Sequence, residues 1–186
     1  RIHRGAETAF LEIGQGLARL PGWRVDAFGS GPHGTPELPI HPIGCVSRER
    51  FEHWPRVPGF RGETSYEEFT FAARLASSGQ YRSRVYDVVM GCTYPFVNWY
   101  TRLARGRARK PLVVFVTQNG DWPCRRTNAE FRAFGCDGLV CINPEYHERH
   151  RHTFPSALIP NGVDPSVFHP REESPSGAWA GWESAA

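Results

Sequence analysis

Three short runs constrain this chain more than anything else in it. Tyr86–Gly91 reads YDVVMG, Pro111–Gly120 reads PLVVFVTQNG, and Asp137–Asn143 reads DGLVCIN. Each is apolar without alternation at its centre. A strand with one wet face alternates apolar and polar residues; a strand buried on both faces does not. Helical patterns separate the runs. Phe96, Trp99, Tyr100 and Leu103 mark one helix. Thr127 and Glu130 cap a second, which ends at Gly135. Asn143-Pro144 starts a third, with a cap residue and then proline in the first turn. SALIP, at 156–160, reads as a last short strand. Strands alternating with helices predict a parallel sheet covered on both faces, a Rossmann-like α/β fold.

Upstream, Phe10, Ile13, Leu17 and Leu20 fall on one face of a helix that Pro21-Gly22 ends. Arg24–Phe28 reads as a short strand. Residues 29–62 are rich in Gly and Pro, with a short strand near Ile40–Ile43. Thr64 with Glu67, or Ser65 with Glu68, forms a capping box for the next helix, whose apolar face is Tyr66, Phe69, Ala73 and Ala76. In a doubly wound sheet the first strand is central. Here the first recognisable element is a helix, and the chain opens on Arg1 without a methionine. The expectation is a fragment cut at both ends, lacking its first strand, marginally stable and exposing apolar sheet edges.

The 186 residues carry a formal net charge of +3, too little for a dedicated nucleic-acid binder. No apolar run approaches the roughly 20 residues that cross a bilayer, and no signal peptide is visible; a cytoplasmic location is expected. Five cysteines, none at a CxxC spacing, argue for reduced, packed thiols. His147, His150 and His152 are close, but the third leaves the helix face of the first, so a solvated basic face is expected rather than a metal site. No phosphate-binding GxxxxGK[ST] loop and no GxSxG elbow occurs. Arg102–Lys110, RLARGRARK, is the densest basic run. It suits a helix C-terminus, or contact with anionic head groups or an acidic acceptor.

Four segments together resemble the amino-terminal half of family-4 glycosyltransferases of the GT-B fold. They are RGAETAFLEIGQGLARL, YDVVMG, PLVVFVTQNGDWP, and DGLVCINPEYHERHR with LIPNGVDPSVFHP. The last matches the family's joint at Asn161, Gly162, Val163, Asp164, Phe168 and Pro170. The likeness covers residues 1–170; residues 171–186 are expected to be a linker or a tail without fixed structure.

The resemblance implies a two-domain enzyme that moves a sugar from a nucleotide-sugar to a glycan or lipid-linked acceptor, with retention and without an obligatory metal or other cofactor. The first domain holds the acceptor. A second Rossmann-like domain, absent from this sequence, holds most of the nucleotide-sugar. It also implies possible peripheral contact with the inner face of a membrane, and no nucleic-acid partner. Sugar transfer by this chain alone is not expected. A non-catalytic glycan- or nucleotide-binding module is the alternative, and a nucleotide-sugar epimerase of the same fold a third reading.

Ligands in such sheets bind beyond the carboxyl ends of the strands, and that selects the candidate residues. Gly5 and Glu7 lie at the start of the first helix, where backbone amides and the helix dipole favour an anion such as a pyrophosphate. The family usually has a further glycine where this chain has Arg4. Many family members carry a sugar-contacting histidine where this chain has Asn119, or Gln118 in the neighbouring register. Neither side chain is a general base near neutral pH, but both hydrogen-bond sugar hydroxyls. Asp121 is the titratable group of TQNGDWP and could orient an acceptor hydroxyl; Trp122 could stack on a sugar ring. Asn161 and Gly162 form the turn at the edge of the expected cleft. No catalytic residue is assigned.

Overall fold

The computed structural model describes residues 5–31, 34–47, 50, 63–92, 94–103, 110–118 and 134–162. In chain order the elements are α1 (Gly5–Ala18), β1 (Ala27–Gly29), β2 (Ile40–Pro42), α2 (Glu63–Ser77), α3 (Gly79–Arg82), β3 (Val88–Cys92), α4 (Phe96–Leu103), β4 (Leu112–Val116), β5 (Gly138–Cys141), α5 (Pro144–His150) and β6 (Ser156–Leu158). The strands form two parallel sheets. β1 pairs with β2, and β3, β4, β5 and β6 lie side by side in sequence order. The fold is α/β with parallel sheets flanked by helices, as the alternating pattern predicts.

The sheet core sits on β4 and β5. Phe115 is fully buried with Leu139, Cys136 and Cys141, and Phe134, Tyr146 and Phe154 close over them. Phe134 meets Phe115 and Phe154 edge-on at 5.0 and 5.5 Å. Truncating a ring so enclosed costs about 3–5 kcal/mol. Burial pushes the Cys136 thiol up to about 12, so it is inert near neutral pH. A second cluster, Ile43, Leu75 and Tyr81, joins Phe28 of β1 to Val89 of β3.

Several local expectations need correction. YDVVMG is not buried on both faces: all five residues of β3 are only half-buried. The cause is topological, since β3 is an edge of its sheet and no described strand lies on its other side. The first helix stops at Ala18, and Leu20 is 48% exposed. A turn with Gly22 at φ 82 follows, where glycine is needed. The strand expected at Arg24–Phe28 is Ala27–Gly29, whose pairing with β2 begins at Ala27 opposite Ile40. The capping-box residues do not stand at the helix start: α2 already runs at Glu63, so Thr64 and Ser65 lie inside it. Its buried face centres on Tyr66, Ala72 and Leu75, with Ser65 also enclosed; Ala73 and Ala76 are half-buried. His150 is buried, beside Phe154, rather than part of a solvated face. The helix expected at Thr127–Gly135 begins outside the described residues, as do Cys124, Trp122 and most of Arg102–Lys110.

Candidate functional site

All four strands of the larger sheet run the same way, so their carboxyl ends form one edge. β4 ends at Val116, and the next residue, Thr117, is fully buried. Its backbone N–H donates to the Val140 carbonyl at 3.0 Å, and its Oγ1 accepts from the Ile142 N–H at 3.3 Å. Thr117 thus ties the end of β4 to the end of β5. The Ile159 N–H donates to the Cys141 carbonyl at 2.9 Å and ties β6 to β5 in the same way. Beyond β5, the Asn143 carboxamide oxygen accepts from the Glu145 N–H at 2.8 Å and caps α5, as Asn143-Pro144 predicts.

On this base stand Gln118 and Asn161. The Gln118 Nε2 donates to Asn161 Oδ1 at 2.7 Å, and the Asn161 Nδ2 donates back to Gln118 Oε1 at 3.1 Å. The pair reaches over the end of β5, because Gln118 follows β4 and Asn161 follows β6. Each primary amide has two N–H donors and two acceptor lone pairs. The reciprocal bonds use one of each, leaving every partner one donor and one acceptor. Gln118 is half-buried and Asn161 exposed, so these groups can meet a ligand at the carboxyl edge. A surface of paired donors and acceptors without charge suits neutral hydroxyl groups. It cannot take up or release a proton near pH 7.

The structure therefore joins two of the expected site residues, 43 positions apart in sequence. Gly5 and Glu7 are not joined to them by any described contact; both lie on the exposed first turn of α1. A Cβ on Gly5 would meet nothing within 4 Å, so the backbone there is open. Gly162 is equally open, and its φ is not left-handed, so the expected Asn161-Gly162 turn does not depend on glycine. Asn119 and Asp121 lie outside the described residues. Sequence reasoning passed over Thr117; its signal was a β-branched hydroxyl directly after the most apolar strand.

Sequence reasoning also missed a charged cluster at the opposite, amino-terminal edge. Asp26, before β1, accepts from Arg84 and, at 3.1 Å, from the Tyr86 hydroxyl; His41 Nε2 lies 3.5 Å away. The Asp26 side chain is 13% exposed. Burial alone would raise its carboxyl, but the hydrogen bonds from Arg84, Tyr86 and His41 and the Arg84 charge hold it below its ordinary value. Burial and the Asp26 charge push the Tyr86 phenol up to about 12. A cavity of about 230 Å³ on that same edge is lined by Thr101, Arg102, Lys110, Pro111, Leu112 and Asp137, with Arg102 and Asp137 3.4 Å apart. Neither feature touches the carboxyl edge.

Among the described residues, no group of three or more His, Cys, Asp or Glu side chains could hold a metal ion, and no helix is long and apolar enough to cross a membrane. No curated protein and no solved structure matches the chain. The sequence model of Glycosyltransferase Family 4 matches residues 3–167, nearly the whole length. That span takes in both the open helix start at Gly5 and the Gln118–Asn161 bridge, and the chain belongs to glycosyltransferase family 4 as an amino-terminal domain of that family.

Proposed function

We propose that this chain is the acceptor-side half of a retaining glycosyltransferase that moves a sugar from a nucleotide-sugar to a glycan or lipid-linked acceptor. The observation that carries this reading is the Gln118–Asn161 bridge, an uncharged double amide at the carboxyl edge of a parallel sheet. Its remaining donors and acceptors fit vicinal hydroxyls of a sugar. Neither amide moves a proton, so deprotonation of the acceptor falls to another group; Asp121 would orient the acceptor hydroxyl. The open backbone at Gly5 would face the donor's pyrophosphate, with the helix dipole favouring its charge. Most donor contacts would come from a second Rossmann-like domain, without which the chain transfers nothing. No cofactor is required beyond the nucleotide-sugar as substrate. The enzyme would work in the cytoplasm, peripherally at the inner face of a membrane where its acceptor is lipid-linked.

The side-chain amide signals of Gln118 and Asn161 test this. They are followed by NMR while glucose, mannose and N-acetylglucosamine, as mono- and disaccharides, are titrated into the chain. Selective shifts of both amides with at least one sugar are expected. Unmoved amides throughout the series would sink the assignment of the site. Turnover of a nucleotide-sugar by the purified 186 residues would overturn the need for a second domain.

A further inference from the structure

The cavity on the amino-terminal edge has a buried floor and a charged rim. Thr101 and Pro111 are buried at its base, and Arg102, Lys110, Leu112 and Asp137 are exposed around them. Arg102 comes from the last turn of α4, and Lys110 stands two residues ahead of β4. The first and last cations of the basic run RLARGRARK thus line one cavity of about 230 Å³. Their spacing in the sequence does not show that.

Arg102 is held in place there. The Asp137 N–H donates to the Val113 carbonyl and the Val113 N–H to Asp137 Oδ2, both at 2.8 Å, so the carboxylate is a fixed post beside β4. Its Oδ1 faces Arg102 Nη1 at 3.4 Å. A Cβ built on Gly135 would lie 3.5, 3.6 and 3.7 Å from Cζ, Nε and Nη2 of Arg102. Three near-equal distances lay the guanidinium plane flat over Gly135. A guanidinium has five N–H donors in a rigid fork. These contacts engage one face and one nitrogen, and the other donors remain for an oxyanion. Among the described residues no carboxylate pairs with Lys110. One effect opposes an anion: α4 ends here, and the negative end of a helix dipole amounts to about half a charge. Two full cations outweigh that and the Asp137 carboxylate together. In the sequence, Arg105, Arg107 and Arg109 lie between them, so the cavity belongs to the most basic stretch of the chain.

We propose that this cavity binds a small phosphate monoester, held by Arg102 and Lys110, with Asp137 positioning Arg102. The guanidinium fork takes two oxygens side by side, and Lys110, on a separate segment, reaches a third. A phosphate monoester offers three terminal oxygens; a carboxylate offers two. A volume of about 230 Å³ falls below the range of about 300–1,000 Å³ typical of larger ligands. It therefore suits a phosphate with a few carbons, packed on Pro111 and Leu112. The cavity lies on the edge opposite the Gln118–Asn161 bridge, so its ligand is bound beside the acceptor and does not compete with it. This site does not depend on the acceptor reading. The same group is presented by soluble metabolites and by the head group of phosphatidic acid.

The test titrates inorganic phosphate and glycerol 3-phosphate into the full chain at constant ionic strength, with acetate as the carboxylate control. Backbone amide NMR reads the result. Saturable shifts at Arg102, Leu112 and Asp137 are expected at about 1 mM of either phosphate, with the Gln118 and Asn161 side-chain amides unmoved. Those amides report the sugar edge, so this site and the acceptor reading fail separately. Arg102→Gln and Lys110→Gln are each expected to weaken phosphate binding about 10-fold, the loss of one charge-assisted hydrogen bond. Both positions are exposed, and the amide spectra of the variants verify their folding. A parallel arm sediments the chain with phosphatidylcholine vesicles, plain or carrying phosphatidic acid. Co-sedimentation with phosphatidic acid that both variants lose assigns the phosphate to a lipid; shifts without co-sedimentation assign it to a soluble ligand. Acetate shifts equal to those of phosphate overturn the proposal. So does phosphate binding undiminished in both variants, or no saturable shift at this edge up to about 50 mM phosphate.

Discussion

Gln118 and Asn161 hold each other by two reciprocal amide hydrogen bonds, 2.7 and 3.1 Å long, across the end of a strand that neither belongs to. The bridge fastens the segment that follows β4 to the segment that follows β6. It therefore has a mechanical role in addition to any contact with a ligand. A typical net hydrogen bond contributes about 1 kcal/mol, and less where water competes. Gln118→Ala and Asn161→Ala should each lower stability by about 0.5–1 kcal/mol. The double variant should lose no more than either single one plus a few tenths, a coupling of about 0.5–1 kcal/mol. Urea unfolding of the four proteins checks this; strictly additive losses would mean the bridge is absent in solution.

Asp26 predicts an acid limb to stability. Its folded carboxyl titrates below the ordinary value of 3.8, although burial alone would raise it. A carboxyl with a depressed folded pKa contributes its full stabilisation above the unfolded pKa and loses it as pH falls through the folded one. The loss therefore begins near pH 4 and proceeds downwards. Asp26→Asn should cost about 2 kcal/mol at pH 7, between the values for exposed and buried ion pairs. The difference from the parent should shrink as pH falls below 4. Thermal melts at pH 7, 4 and 3 read it directly, and a constant difference across that range would remove Asp26 from the acid limb.

Tyr86 predicts the opposite limb. Its phenol is pushed from 10.0 up to about 12, by burial first and then by the Asp26 charge. A raised folded pKa gives stability that is whole below the unfolded value and lost as pH rises through the folded one. The parent should weaken between pH 10 and 12. Tyr86→Phe should lose about 1 kcal/mol at neutral pH with the hydroxyl contact, and lack its share of the alkaline decline. Denaturant titrations at pH 8, 10 and 11 compare the two slopes.

The parts of this molecule that were legible in its sequence are those set by neighbours along the chain. The apolar run of β4, the cap at Asn143-Pro144 and the short strand at Ser156–Leu158 all follow from spacing and composition. β3 shows where that stops. Its run is as apolar as that of β4, but burial depends on which strands flank it, and periodicity carries nothing about flanks. The Asp26 cluster joins residues 58 and 60 positions apart, and the Gln118–Asn161 bridge joins residues 43 apart. Each partner alone is an ordinary polar residue beside a strand. Asn161 was readable from the joint and Gln118 from the end of the most apolar run, whereas their pairing became visible only when β4, β5 and β6 were placed side by side. The two capping-box motifs misplaced the helix start for the converse reason: a sound local signal lies inside a helix that begins before it.

Asn98 supplies a prediction of a different kind, because it is a cost the fold carries. The residue is fully buried in α4, and neither its Nδ2 nor its Oδ1 has a hydrogen-bond partner among the described residues. Its Oδ1 faces Gly91 of β3, where a Cβ would come within 3.3 Å. A buried amide left unpaired costs about 1–3 kcal/mol, whereas an apolar group of the same shape costs nothing of the sort. Leucine has the branching of asparagine with methyls in place of the amide atoms. Asn98→Leu should therefore raise stability by about 1 kcal/mol, the gain from removing the unpaired amide being partly offset by the bulk of its methyls. Asn98→Ala exchanges the same amide for a small cavity and should come out near neutral. Gly91→Ala, which presses a methyl against the carboxamide, should destabilise the parent by about 1–3 kcal/mol. Urea midpoints rank the four proteins. Destabilisation by Asn98→Leu, with normal stability in Asn98→Ala, would show steric limits at this position. Destabilisation by both would mean that the carboxamide has a partner in solution.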